Sequence, residues 1–216
     1  MLNYGNANLT VYTILKDIRG ENFLKEVAMM LIEKLKRKRR NQKFKTMINL
    51  QGEHSFVGKG FQVIGGRYIT VGENFSAEKN LYLQAWYKYN GVLTGLTPSI
   101  IIGTNVSMMS NCHLSAINKI EIGDGTLLGD NVFITDNYHG SSTKEEMDIP
   151  PLQRKLYSKG PVIVGKNVWL GRNVSIMSGV NIGDGAVIGA NAVVTHDIPA
   201  HCIAAGVPAK VIRVVK

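Results

Sequence analysis

Residues 164–193 read VGKNVWLGRNVSIMSGVNIGDGAVIGANAV. Val164, Leu170, Ile176, Ile182 and Ile188 open five successive hexads, and Val168, Val174, Val180, Ala186 and Ala192 hold the fifth place of each. An internal repeat takes precedence over local propensity. A period of six fits neither an amphipathic helix nor a simple alternating strand. It fits a coil with three short sides. An aliphatic residue opens each side and faces inward. Gly, Asn and Asp follow where the chain turns and left-handed backbone angles cost least. Three hexads close one coil, so Val164 is expected beside Ile182. Stacked coils pair as parallel strands on three faces and bury their apolar rows only against neighbours.

The same phase extends outward. Hexads open at Ile102 and Met108, leading to Leu114, and again at Ile122 and Leu128, leading to Ile134. A fainter set runs through Val71, Ala77 and Leu83. The pattern breaks twice. Residues 84–100 contain Tyr89-Asn90-Gly91, and Asn-Gly is a hairpin signal. Residues 136–161 form a long polar insertion, the kind of loop that usually carries function.

Composition is consistent with one repeat domain and a small appendage. Of 216 residues, 44% are apolar and 19% charged, which excludes wholesale disorder. The net charge of +9 hints at a polyanion partner until it is divided. Residues 1–50 hold 11 Lys/Arg against 4 Asp/Glu, whereas residues 51–216 hold 14 against 12. In residues 21–40, Leu24, Val27, Ala28, Leu31 and Leu35 recur at helical spacing, and a basic run follows from Lys34 to Lys45. We therefore expect residues 1–60 to be a basic helical segment and residues 61–216 the repeat domain. The helix has two candidate placements: docked on the coils, or on an anionic membrane surface through residues 21–45. The basic run lacks interleaved aromatics and any nucleic-acid motif, so no nucleic-acid partner is expected. Two cysteines form no disulfide framework, no apolar run is long enough to span a membrane, and no signal peptide is evident. A cytoplasmic location is expected.

The hexads, together with the closing stretch from Val194 to Arg213 containing Asp197-Ile198-Pro199 and Ala204-Ala205-Gly206-Val207-Pro208-Ala209-Lys210, closely resemble the hexapeptide-repeat acyltransferases. The nearest branch is similar to the galactoside and maltose O-acetyltransferases and the sugar acetyltransferases of capsule and O-antigen synthesis. The resemblance implies an all-β fold, a left-handed parallel β-helix, with assembly as a homotrimer. It implies acetyl-CoA as cosubstrate, a saccharide hydroxyl as acceptor and no metal. Its chemistry is direct transfer, with a histidine as general base. Imidazole suits the task because it titrates near neutral pH.

His139 matches the position of the family's histidine, at the point where a coil gives way to the long insertion. Asp136, three residues earlier, is a candidate to orient it or a simple turn former. For the cosubstrate, the resemblance carries over to Gly171 and Arg172 (within Val168-Trp169-Leu170-Gly171-Arg172), to Ala190 and Thr195, and to Lys210 and Arg213 facing the CoA phosphates. Arg172 stands where the family has a small residue. The family's acceptor-binding asparagine falls at Met109, with Ser107 in place of an aromatic and Ile117 in place of an acid. Asn111 survives from that stretch as a candidate acceptor contact. Trp86, Tyr87 and Tyr89 form an aromatic cluster, for sugar stacking or for packing of the hairpin; Trp86 is the substrate-binding candidate. His54 precedes the repeats, and His113 reads as a coil-surface residue.

Three alternatives stay open. An aminosugar nucleotide as acceptor would make the enzyme an N-acetyltransferase. A non-catalytic scaffold would need no His139. A metal protein like the gamma carbonic anhydrases would need three histidine ligands; His196 and His201 have one of the required spacings but lie beyond the repeats.

Overall fold

The computed structural model describes the backbone of residues 4–215 and the side chains of residue 23 and residues 25–215. The chain forms two compact units, residues 1–40 and residues 41–216.

The second unit is a left-handed parallel β-helix. Its first face carries the strands Leu50–Gln51, Ile69–Val71, Ser99–Ile102, Lys119–Ile122, Val162–Val164 and Asn181–Ile182. The second carries Phe56–Val57, Ser76–Ala77, Ser107–Met108, Leu127–Leu128, Trp169–Leu170 and Val187–Ile188. The third carries Gln62–Ile64, Tyr82–Ala85, His113–Ala116, Phe133–Thr135, Ser175–Ile176 and Val193–Val194. Six coils result. The register is the one the hexads require: Val164 pairs with Ile182, Leu170 with Ile188 and Ile176 with Val194. Every aliphatic residue that opens a hexad from Ile102 onward is buried. The first coil begins at Leu50, ahead of residue 61. Its hexad phase is weak: Gln51 stands opposite Val71, and both it and Val63, opposite Leu83, are only partly buried.

Corners are built by two devices. Asparagines at positive φ stack from coil to coil: Asn80 Nδ2 donates to Asn111 Oδ1 at 2.9 Å, and Asn111 to Asn131, Asn131 to Asn173 and Asn173 to Asn191 at 2.8 Å each. Aspartates pin each coil to the one before it. Asp124 accepts the Thr104 N–H, Asp130 that of Ser110, Asp184 that of Lys166 and Asp197 that of Asn181. At Gly123 a Cβ would come within 2.6 Å of the Gly165 backbone, so the coil spacing itself demands glycine there.

Both ends are closed, as solenoids require. The helix Tyr4–Met47 (α1) ends inside the second unit, where Phe44 is fully buried against Phe61 and Phe75. Asn41 accepts the Val57 N–H and donates to the Ser55 carbonyl, fixing that entry. At the far end Cys202–Ala205 pairs antiparallel with Lys210–Val214. The expected helix over residues 21–40 is present within α1. Within residues 23–40 of the first unit, Met29, Met30, Leu31, Ile32 and Leu35 are exposed beside the basic run; the side chain of Leu24 lies outside the described residues. Among the described residues no helix is long and apolar enough to cross a membrane.

Candidate active site

Both breaks in the repeat fold on the same side of the β-helix. The first is a hairpin, with Lys88–Tyr89 and Val92–Leu93 joined by Asn90 and Gly91, both at positive φ as the Asn-Gly signal predicts. The second leaves the corner after Phe133–Thr135, and its Tyr138–His139 pairs antiparallel with Leu156–Tyr157. The insertions touch: Asn90 Nδ2 donates to the Leu152 carbonyl at 3.0 Å.

His139 is exposed at this junction. Its ring meets Tyr89 edge-on at 5.4 Å, and Tyr89 in turn meets Trp86 at 5.6 Å. Among the described residues its ring nitrogens make no hydrogen bond, so both are free to meet a substrate. Below it lies a cavity of about 320 Å³ bounded by Gln84, Trp86, Tyr89, His113, Thr135 and Asn137, among others. Strand geometry explains the grouping. Gln84, Ser115 and Thr135 are register partners on the third face and form one polar column. Tyr82, His113 and Phe133 form the next column, with rings 5.5 and 5.4 Å apart. His113 Nε2 lies 3.0 Å from Gln84 Oε1, and burial lowers the imidazole pKa from its usual 6.5, which favours the uncharged ring. His113 is therefore a wall of the cavity, more than a coil-surface residue. The signal was available: residues 84, 115 and 135 hold equivalent places in successive coils, but the insertion between residues 85 and 99 hid the count.

Asp136 does not orient His139. It is fully buried and its carboxylate accepts the N–H groups of Ile117 and Asn118 at 2.8 Å each, the coil-pinning role of the other corner aspartates. Burial raises its pKa above the usual 3.8 against the opposing pull of these donors. Asn111 is likewise corrected as an acceptor contact. Its amide both accepts from Asn80 and donates to Asn131 in the corner ladder, away from the cavity. Trp86 does line the cavity.

The cosubstrate candidates divide between corners. Gly171, Arg172 and Ala190 share the corner between the second and third faces. A Cβ on Gly171 would come within 2.7 Å of the Ala190 N, so that glycine also serves coil packing. Arg172 forms an ion pair with Asp130 at 3.0 Å. Thr195 lies on the corner between the third and first faces, the one His139 leaves from, and its Oγ1 lies 2.9 Å from His196 Nδ1. Lys210 and Arg213 are exposed on the last strand. Among the described residues no three His, Cys, Asp or Glu side chains are grouped to hold a metal ion, so His196 and His201 form no such set.

Known proteins share this architecture. The family profile "Hexapeptide repeat of succinyl-transferase" matches residues 161–196. The Escherichia coli K12 protein WbbJ, described as a lipopolysaccharide biosynthesis O-acetyl transferase, is 40% identical over 67% of this chain and 71% of its own length. Galactoside O-acetyltransferase of the same organism is 34% identical over 74% of this chain and 70% of its own. The solved structure of a maltose O-acetyltransferase from Clostridium difficile 630 superposes with a TM-score of 0.52 and 28% identity, covering 83% of this chain and 76% of that one. A chain this similar to these relatives, over two thirds or more of both lengths, belongs to the hexapeptide-repeat acyltransferase family, and it is a transferase.

Proposed function

We propose that the protein transfers acetyl from acetyl-CoA to a hydroxyl of a saccharide, with His139 as general base. The observation that carries this reading is the free imidazole of His139 over a cavity walled by rings and neutral polar side chains. Rings flank sugars well because their faces cover the C–H side of a pyranose, while Gln84, Thr135 and Asn137 supply donors and acceptors for hydroxyls. In the step itself an imidazole nitrogen of His139 takes the hydroxyl proton as the oxygen attacks the thioester carbonyl. Collapse of the tetrahedral adduct breaks the C–S bond. The imidazolium returns the proton to sulfur, releasing CoA thiol and the acetyl ester. No covalent enzyme intermediate is needed.

Lys210, Arg213 and Arg172 supply cations suited to the phosphates of CoA, and Gly171, Ala190 and Thr195 the corner surfaces for its pantetheine arm. Relatives named as sugar O-acetyltransferases support the choice of a hydroxyl over an amine. The test is His139→Ala, assayed by thiol release from acetyl-CoA across a panel of saccharides. Turnover should fall by on the order of 100-fold or more while acetyl-CoA binding is retained. Undiminished turnover would remove His139 from the chemistry.

A further inference from the structure

Two cavities meet at Trp86. Among the described residues, the one beneath His139 is lined by no charged side chain. The second, of about 470 Å³, is bounded by Arg67, Tyr68, Tyr87 and Lys88 and by Trp86 itself. Its character is the reverse of the first. Arg67 lies over the Tyr68 ring at 5.6 Å, and Tyr68 meets Tyr87 at 5.9 Å. A guanidinium held on a ring keeps its donor edge free and oriented, the arrangement that binds phosphate oxygens in pairs. Among the described residues neither Arg67 nor Lys88 pairs with a carboxylate, unlike Arg172, Lys119 and Lys166. Two uncompensated cations thus face an aromatic cavity that adjoins a neutral one.

Both cations are placed by local structure. Arg67 sits in the short 3-10 turn Gly66–Tyr68 where the first coil ends, and Lys88 in the first strand of the hairpin. His139 leaves the fourth coil. Three inter-strand steps separate the ends of these coils, roughly 14 Å along the axis. A hexose with a diphosphate on its anomeric carbon can reach across that separation from His139 to Arg67, whereas a free hexose is too short to do so.

We propose that the acceptor is a saccharide carrying an anomeric phosphate or diphosphate. Its neutral ring occupies the cavity beneath His139, and its phosphate lies between Arg67 and Lys88. This rests on the sugar acetyltransferase reading above. The shared chemistry belongs to nucleoside-diphosphate sugars and to polyprenyl-diphosphate sugars alike.

The experiment has two arms. In the first, the full chain and its Arg67→Ala/Lys88→Ala variant are titrated calorimetrically with inorganic pyrophosphate in the absence of acetyl-CoA. Both side chains are exposed, so the variant is expected to keep the wild-type circular dichroism. Binding should weaken by on the order of 10- to 100-fold in the variant. Equal binding by both proteins, or none by the wild type, overturns the anion site whatever the acetyl acceptor is.

In the second arm, thiol release is measured with each sugar supplied free, as its nucleoside-diphosphate conjugate and as its polyprenyl-diphosphate conjugate. One conjugated form should exceed the free sugar at least tenfold in kcat/KM and so name the source. The double variant should raise the KM for that conjugate while leaving the KM for acetyl-CoA and the turnover of free sugar unchanged. A free sugar used as well as its conjugates overturns the proposal. Thiol release absent with every form overturns the sugar acetyltransferase reading, and the pyrophosphate arm still decides the anion site.

Discussion

The carboxylate of Asp136 takes the N–H groups of Ile117 and Asn118, and the Asn137 amide donates to the Ser115 carbonyl at 2.9 Å. Together they close the corner from which the His139 insertion departs. The nearness of Asp136 to His139 in sequence suggests a catalytic pair, but the chain turns between them and the acid faces the core. Its replacement should therefore separate stability from chemistry. In Asp136→Asn one buried N–H meets an amide NH2 instead of an oxygen. That costs about 1–3 kcal/mol of stability, while acetyl transfer stays within a few-fold of wild type. Burial holds the Asp136 carboxyl above its usual pKa. The stability contributed by such a raised group is fully present below its unfolded pKa and is lost as pH rises through the folded one. Thermal midpoints compared between about pH 3 and pH 7 should show the advantage of wild type over Asp136→Asn narrowing as pH rises. A variant with wild-type stability and a turnover loss as large as that of His139→Ala would instead make Asp136 a partner of the base.

The corner ladder is the element that turns six-residue segments into a stack. Asn131 accepts from Asn111 and donates to Asn173 at φ 58, a backbone angle at which most side chains are strained. Asn131→Ala removes two hydrogen bonds and adds the left-handed penalty of roughly 1–2 kcal/mol. Asn131→Gly removes the same bonds without that penalty. Denaturant midpoints should rank wild type above Gly above Ala; equal loss in the two variants would show that the ladder and not the backbone angle limits the corner. These corners also explain what was legible in the sequence. The repeat gave away coil register, inward rows and both insertions, because each rests on residues in fixed phase such as Val164, Leu170 and Asn173. The first coil is hard to read because Gln51 stands where the apolar phase should continue, opposite Val71. The cavity was only half visible. His139 is marked by its place in the chain, whereas Gln84, His113 and Thr135 come together through pairing across coils that an insertion separates in sequence. Asn111 was misplaced for the opposite reason, since a ladder asparagine and a ligand-binding asparagine look alike in one dimension.

At the scale of the whole molecule the candidate residues lie on two different edges of one triangular column. Gly171, Arg172 and Ala190 occupy the corner before the third face, and the His139 insertion and Thr195 occupy the corner after it. The strand Phe133–Thr135 between them spans about 10 Å, so one chain presents the proposed base and most of the proposed cosubstrate surface to different sides. A second copy packed against the first can bring its own corner to the partner's histidine. The second face offers a surface for such packing: Leu127, Trp169 and Val187 form an outward column, with Trp169 54% exposed. A contact of this head-to-tail kind can close into a ring, and the resemblance to the hexapeptide-repeat acyltransferases implies three copies. Light scattering should give a mass three times 23.7 kDa. The sharper consequence concerns activity. Chains carrying His139→Ala and chains carrying Lys210→Glu/Arg213→Glu should each be nearly inactive alone. Unfolded together and refolded as mixed trimers, they should regain turnover, because some interfaces then join an intact histidine from one chain to intact cations from the next. If both halves of the site came from one chain, every site in the mixture would carry a lesion and turnover would stay at the level of the two parents.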